Sequence, residues 1–309
     1  MQQRRVVVWQ GVRNELGRLA FMYWPVMSTL FTGFRDAGVD IRAGVGMTAE
    51  RSSAIARLRQ GDGFIWVGIN GRFAQPWEDL RRRGVRLAYY QTEPIHRGRG
   101  PCDRYNHTVG MVRKVDEIWD FSHHNLDLCG GTLNPRDRRP LVVRYVPPGY
   151  IPTVPRLDGR SSALLFFGSI SRTARRGPCY YQLKHELREQ LQQTYSVWNE
   201  SALAAVLGRY DIYLNVHKNC ASGGPVTFRN ALLLSAGKLI LSDRAHPRDE
   251  AEFAGMVQFV PLADIGAAYR RLRTHDVRAE RQRAHALFQE RFQPRDIFQR
   301  AGIYRDWLT

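Results

Sequence analysis

Short apolar runs recur along the chain, each stopped by a small or polar residue: Val6–Trp9, Phe64–Val67, Val85–Tyr90, Glu117–Trp119, Val142–Val146, Leu164–Phe167, Ile212–Val216, Leu239–Leu241 and Val257–Val260. Runs that are apolar at successive positions, rather than at alternate ones, predict strands covered on both faces, as in a parallel sheet. A turn and strand over Gly38–Ile41 and a strand over Ser196–Trp198 complete the strand set. Helical segments fall between them: Phe21–Phe34 with Pro25 in its first turn, Ala49–Leu58 capped by Thr48, Trp77–Arg83, a segment around His107–Lys114, and one opening at Ser122. Tyr180–Gln190, Ser201–Leu207, an apolar helix through Arg229, Asp249–Phe253, Ile265–Leu272 and a largely helical Val277–Thr309, broken near Pro294, follow. This alternation predicts an α/β fold with helices on both faces of parallel sheets.

Pro147-Pro148-Gly149-Tyr150-Ile151-Pro152, with Pro155 just beyond, is the strongest boundary signal. It divides the chain into two similar-sized α/β halves joined by a proline hinge, an arrangement that suggests a cleft between two sheets.

The charge balance is far from even. Forty-six Lys and Arg against 29 Asp and Glu leave a net +17, and all but Lys114, Lys184, Lys218 and Lys238 of the cations are Arg. Anionic partners follow: a nucleotide, a phosphorylated substrate, DNA or an anionic membrane surface. An Arg-rich coding bias would produce the same excess. Cys102, Cys129, Cys179 and Cys220 have neither disulfide-scaffold nor zinc spacing. With no signal-peptide pattern and no apolar run long enough for a span, the chain is expected to be cytoplasmic, with peripheral attachment to a membrane left open.

The candidate chemistry concentrates in Asp211–Asp243, which reads as a βαβ unit. Its strand-to-helix loop carries His217, Lys218, Gly223 and Gly224, and Arg229 lies in the helix, where cations and free helix N–H groups meet an anion. For Arg229 the alternatives are an ion pair with Asp243 or Glu250, or surface placement at the helix end, and for His217 a satisfied core or loop histidine. Gly168-Ser169 after Leu164–Phe167 lets backbone approach a ligand, with Arg172, Arg175 and Arg176 adding charge; a solvated basic loop is the alternative. Glu93 follows Ala88-Tyr89-Tyr90 at the expected carboxyl edge of the first sheet, as an acceptor-binding group, a general base, or a structural hydrogen bonder beside Pro94. His123 and His124 are further base candidates, of which at most one serves. A P-loop, a GxGxxG fingerprint with a downstream acid, and an Asp-x-Asp metal motif are absent from the sequence. A metal-independent reaction without a cofactor is expected, with cations and a helix N-terminus holding a leaving diphosphate.

Several short signatures in order, Tyr89-Tyr90-Gln91-Thr92-Glu93, Trp119-Asp120-Phe121-Ser122-His123-His124-Asn125, Val146-Pro147-Pro148-Gly149-Tyr150, Leu165-Phe166-Phe167-Gly168-Ser169, Leu214-Asn215-Val216-His217, Arg229, and Lys238-Leu239-Ile240-Leu241-Ser242, resemble GT-B-type glycosyltransferases. They are similar in particular to a bacterial group with Tyr-x-x-Glu, Trp-Asp-x-Ser and Pro-x-Gly-Tyr signatures. The resemblance implies two Rossmann-like domains, 1–148 and 149–292, facing across a cleft, with 293–309 as a terminal helix packing back on the first. It further implies an acceptor bound by the N-terminal domain and a nucleoside-diphosphate sugar by the C-terminal one, with Gly168, Ser169 and Arg172 under the diphosphate and Arg229 meeting it from the helix. It departs at Val226, where related enzymes carry a donor-contacting Glu one turn before the Arg. The reading is a hexosyltransferase-like enzyme (EC 2.4) moving a sugar to a hydroxyl acceptor. Its rivals are a transferase acting on modified bases in DNA, suggested by the clusters Arg81–Arg83, Arg97–Arg104 and Arg136–Arg139, and a non-catalytic nucleic-acid- or partner-binding module on a degenerate transferase scaffold.

Overall fold

The computed structural model describes residues 4–10, 23–45, 53–68, 77–95, 114–129, 141–168, 170, 176–194, 197, 199–217 and 227–308. Its contacts divide the chain into two compact units, Met1–Gly149 with Pro294–Thr309, and Tyr150–Gln293.

The first unit holds six strands, β1 (Arg5–Gln10), β2 (Asp40–Val45), β3 (Gly63–Val67), β4 (Arg86–Tyr90), β5 (Glu117–Asp120) and β6 (Val142–Tyr145), all parallel in the order β2-β1-β3-β4-β5-β6. Alternate residues of each run serve opposite faces, which is why the runs are apolar throughout. One face packs Val7, Trp9, Phe64, Trp66, Leu87, Tyr89 and Ile118 against Ile55, Leu58, Trp77 and Leu80. On the other, Trp119 meets Trp307 at 5.0 Å between rings, and Phe34 meets Phe298 at 5.0 Å, edge to face. The helix Trp24–Asp36 approaches the helix Pro294–Arg300 at Gly33, where a Cβ would lie 2.8 Å from the Phe298 ring. A larger residue at Gly33 would force these helices apart.

A buried carboxylate ties the last helix, Ile303–Leu308, to this sheet. Glu117 is 1% exposed and accepts from Arg144 Nε (2.6 Å) and Nη2 (3.1 Å), Trp119 Nε1 (2.9 Å), Trp307 Nε1 (3.0 Å) and the Arg86 guanidinium. Arg144 also donates to Ala301 O and Asp306 Oδ2. Burial raises the Glu117 pKa, but the hydrogen bonds from Arg144 and Trp119 and the charges of Arg144 and Arg86 outweigh it, so the carboxyl sits below its ordinary range.

The second unit holds β7 (Ser161–Phe167), β8 (Leu191–Thr194), β9 (Tyr210–Asn215), β10 (Leu239–Asp243) and β11 (Val257–Val260), parallel in the order β11-β10-β9-β7-β8. Its core packs Leu164, Phe166, Ile212, Leu214 and Leu241 against Leu183, Leu187, Ile265 and Tyr269. Asn199 caps the helix Glu200–Leu207 by accepting from Ala202 N at 2.9 Å.

Three sequence expectations shift. A strand that was not expected runs over Leu191–Thr194, an edge strand in which only Leu191 is buried, so its Leu-Gln-Gln-Thr sequence carries no apolar run; of the strand expected over Ser196–Trp198, Val197 is outside any strand and Ser196 and Trp198 lie outside the described residues. The preceding helix begins earlier, at Arg176, and ends at Leu187, followed by a 3-10 turn. The helix expected over Ala49–Leu58 is described only as Ser53–Ala56, closed by a turn in which Asp62 accepts from Arg59 N. Thr48 and the segment His107–Arg113 lie outside the described residues.

Candidate functional site

Strand order in the second unit reverses beside β7: β8 lies on one side of it, while β9, β10 and β11 run out on the other. In an open parallel sheet, the carboxyl ends flanking such a reversal form the crevice where ligands bind. Here that position is the end of β7 at Gly168 and the end of β9 at Asn215-Val216-His217, with Asp243 closing β10 alongside.

Two arginines converge on it. Arg229, in the first turn of the helix Thr227–Ser235, stands over the Phe166 ring at 5.8 Å; Arg176, the first residue of the helix Arg176–Leu187, stands over the same ring at 5.4 Å. Arg229 Nη1 donates to Asn215 Oδ1 at 3.1 Å, Asn215 Nδ2 donates to Asn230 Oδ1, and Arg176 Nε donates to Val216 O at 2.9 Å. Burial first, and then the neighbouring Arg176, lower the Arg229 guanidinium to about 9. Burial likewise lowers Arg176 to about 10, partly offset by Asp243. Two like charges held this close in low dielectric form a site that an anion would relieve.

Gly168 adopts φ +147, and a Cβ there would lie 3.1 Å from Arg229 Nη2. Its role therefore differs from the expected one. The Gly168 N–H is already donated to Thr194 O at 3.0 Å, so the glycine makes room for a guanidinium rather than presenting its own N–H to a ligand. His217 is 4% exposed; its N–H donates to Asp243 Oδ1 at 3.2 Å. His217 Nδ1 stands 2.6 Å from the same oxygen, close enough to feel the carboxylate but out of line for a hydrogen bond, and among the described residues Nε2 has no partner. Glu250, weighed as a partner for Arg229, pairs with Arg244 at 2.7 Å. Ser169, Arg172, Lys218, Gly223 and Gly224, together with Val226, lie outside the described residues.

In the first unit, Glu93 follows β4 at the carboxyl edge of its sheet, partly buried. The surrounding signature residues hold this loop. Asp120 accepts from Ser122 N and Asn125 Nδ2, both at 3.0 Å; Asn125 in turn donates to Glu93 O at 3.1 Å and accepts from Ile95 N at 2.8 Å. Ser122 caps the helix His123–Cys129, its Oγ accepting from His124 N at 3.2 Å. The adjacent histidines diverge: His123 stacks on Tyr145 with ring centroids 3.9 Å apart, and His124 Nε2 lies 3.3 Å from Ile95 O.

No family profile matches the sequence, and no curated protein matches it. Solved structures do match in fold. A sucrose-phosphate synthase from Thermosynechococcus elongatus superposes with a TM-score of 0.60 at 9% identity, covering 99% of both chains. Anabaena Alr3699/HepE in complex with UDP-glucose does so at 0.57 and 9% identity, over 97% of this chain and 99% of that one. The fold is GT-B. This chain also matches the GtfA/B complex at 0.52 and 12% identity over 82% of its own length, and spans 58% of that chain. A UDP-N-acetylglucosamine 2-epimerase matches at 0.52 and 10% identity, over 99% of this chain and 98% of that one.

Within the GT-B scaffold, the sequence pointed to Arg229, Gly168 and His217, and the fold brings Gly168 against Arg229 and His217 onto Asp243. It assigned no role to Asn215 or Asn230, and treated Arg176 only as nearby charge. The available signal was an Asn ending an otherwise apolar strand and another on an apolar helix. Both are 0% exposed, and Asn230 Nδ2 has no partner among the described residues. Buried amides of this kind point to polar work at the site.

Proposed function

We propose that the chain is a glycosyltransferase that moves a sugar from a nucleoside-diphosphate sugar to a hydroxyl acceptor, without a metal or cofactor. The observation that carries the reading is the pair of guanidiniums, Arg229 and Arg176, over one Phe166 ring at the strand-order reversal of the second GT-B sheet. In this reading the second unit binds the donor, with Gly168, Ser169, Arg172, His217, Lys218, Gly223, Gly224 and Arg229 around its diphosphate, and the first unit binds the acceptor.

The acceptor oxygen bonds to the anomeric carbon as the bond from that carbon to the diphosphate oxygen breaks. Arg229 and Arg176 stabilise the negative charge gathering on the leaving group, supplying in fixed positions what a divalent ion would otherwise supply. Glu93 takes the hydroxyl proton or holds the acceptor. Support for a sugar-nucleotide substrate comes from the fold neighbour solved with UDP-glucose.

The decisive experiment screens nucleotide sugars for a rise in melting temperature, then follows the stabilising sugar with glycan, lipid-linked, small-molecule and modified-base duplex DNA acceptors. Transfer in wild type, and its loss with weakened donor binding in Arg229→Met, is expected. Saturable donor binding with neither transfer nor hydrolysis would favour a binding module, and epimerisation of the bound sugar would replace transfer as the activity. Unchanged donor affinity and rate in Arg229→Met would remove the site assignment.

A further inference from the structure

The second unit has a cavity of about 320 Å³ at the opposite edge of its sheet, lined by Arg156, Asp158, Gly237, Arg278, Arg281 and Gln282 among others. Gly237 and Lys238 directly precede β10, whereas Asp243 ends it; at about 3.3 Å per residue the two edges stand roughly 16 Å apart. The cavity is therefore separate from the candidate donor site.

Arg281 lines the cavity and shares a carboxylate partner with the buried Lys238 behind it. Arg281, 9% exposed, contacts Asp211 Oδ1 at 2.6 Å and Asp158 Oδ1 at 3.2 Å and donates through Nε to Gly237 O at 2.7 Å. Lys238, 0% exposed, shares the same Asp211 Oδ1 at 2.9 Å and donates to Leu157 O at 2.6 Å. Two buried cations thus lean on one partly buried carboxylate, since the Asp158 side chain is 77% exposed. Burial lowers the Lys238 pKa, Asp211 opposes that, and the Arg281 charge adds to it.

Its rim adds two guanidiniums that are not spoken for. Arg156 and Arg278 are exposed, and among the described residues neither side chain has a hydrogen-bond or ion-pair partner. The Arg156 charge reaches inward: burial lowers the His285 pKa, the bond to Leu234 O opposes that, and the Arg156 charge adds to the lowering. Arg156, Arg278 and Arg281 line the cavity against the single carboxylate of Asp158, which leaves it with a net positive charge. Planar guanidinium forks lining a cavity at the small end of ligand-pocket volumes match a compact oxyanion, not an extended polyanion.

We propose that this cavity is a second anion site, which takes a phosphate group through Arg156, Arg278 and Arg281, independently of sugar-nucleotide binding. The phosphate comes either free, on a small soluble ester, or on a lipid headgroup.

The test uses the full chain carrying Arg229→Met, which lowers phosphate binding at the other edge, with and without Arg156→Gln and Arg278→Gln. Both glutamine positions are exposed and outside the core, and circular dichroism checks that the variants fold. Inorganic phosphate is titrated against chloride at matched ionic strength, with calorimetry and melting temperature as readouts. Saturable binding that weakens at least tenfold in the glutamine variant is expected. No phosphate-specific binding, or binding equally tight in the glutamine variant, overturns the proposal. Flotation with phosphatidylcholine vesicles, with and without phosphatidic acid, separates the sources. Phosphate binding without flotation assigns a soluble phosphate; acid-dependent flotation lost in the glutamine variant assigns a headgroup.

Discussion

Arg229 Nη2 occupies the space beside Gly168 that any other residue's Cβ would enter, 3.1 Å away, at a backbone φ of +147. The glycine and the arginine are separated by a long stretch of chain, yet each is shaped by the other. Gly168→Ala is expected to cost about 1–3 kcal/mol from the strained backbone alone, and to displace the guanidinium. Urea unfolding and nucleotide-sugar titration of the same variant check both effects. Full stability with wild-type donor affinity would show that the close approach has no consequence.

Asn215 links Arg229 to Asn230 through its two amide atoms, all at the end of β9. Asn215→Leu keeps the side-chain size but strands one guanidinium N–H and the Asn230 carbonyl. A loss of about 1–3 kcal/mol in stability is expected for buried groups left unsatisfied, together with weaker donor binding. An Asn215→Asp variant should instead hold Arg229 by charge, tighten that contact, and repel the diphosphate. Donor titration on the two variants separates packing from electrostatics.

The Glu117 carboxylate anchors the terminal helix through Arg144, Trp119 and Trp307. Its folded pKa lies below its ordinary 4.5, so its stabilisation is complete above that value and is lost as pH falls through the folded value. Asp306, lowered by hydrogen bonds from Arg305 and Arg144, adds to the same acid-side loss. Stability measured downward from pH 6 should fall in the acid range. Glu117→Gln should flatten that slope while lowering stability at neutral pH by about 3–5 kcal/mol, because Arg144 is left buried without its carboxylate.

Trp307 packs on Trp119 and Phe34 and donates to Glu117. Trp307→Ala is expected to cost about 3–5 kcal/mol. Trp307→Phe retains most of the packing and isolates the share due to the indole N–H. Chemical unfolding with a probe in the first unit checks the difference.

Asp211 faces Lys238 and Arg281 at once. Asp211→Asn should destabilise the second unit by about 3–5 kcal/mol, since two buried cations lose their shared carboxylate. A compensating rise in stability on adding phosphate, larger than in wild type, would link this network to the neighbouring cavity.

Much of this was legible in the chain itself. Val6–Trp9, Phe64–Val67 and Leu164–Phe166 had to be buried on both faces, because no alternation offers a wet side, and that alone demands helices above and below parallel strands. Pro25 and Ser122 marked helix starts for local reasons of backbone geometry and capping. The Leu191–Thr194 strand was not legible, because an edge strand is held by its one neighbour's backbone and places few demands on its side chains. The site divides in the same way. Arg229 stood out locally as a charge on an apolar helix. Only the strand order put Gly168, Asn215 and Arg176 around it, and only tertiary contact gave the Glu117 carboxylate its partners in Arg144 and Trp307. Local pattern determines which residues must be buried and in what backbone form; which buried polar groups meet depends on the order in which strands pair, and that is settled by long-range packing.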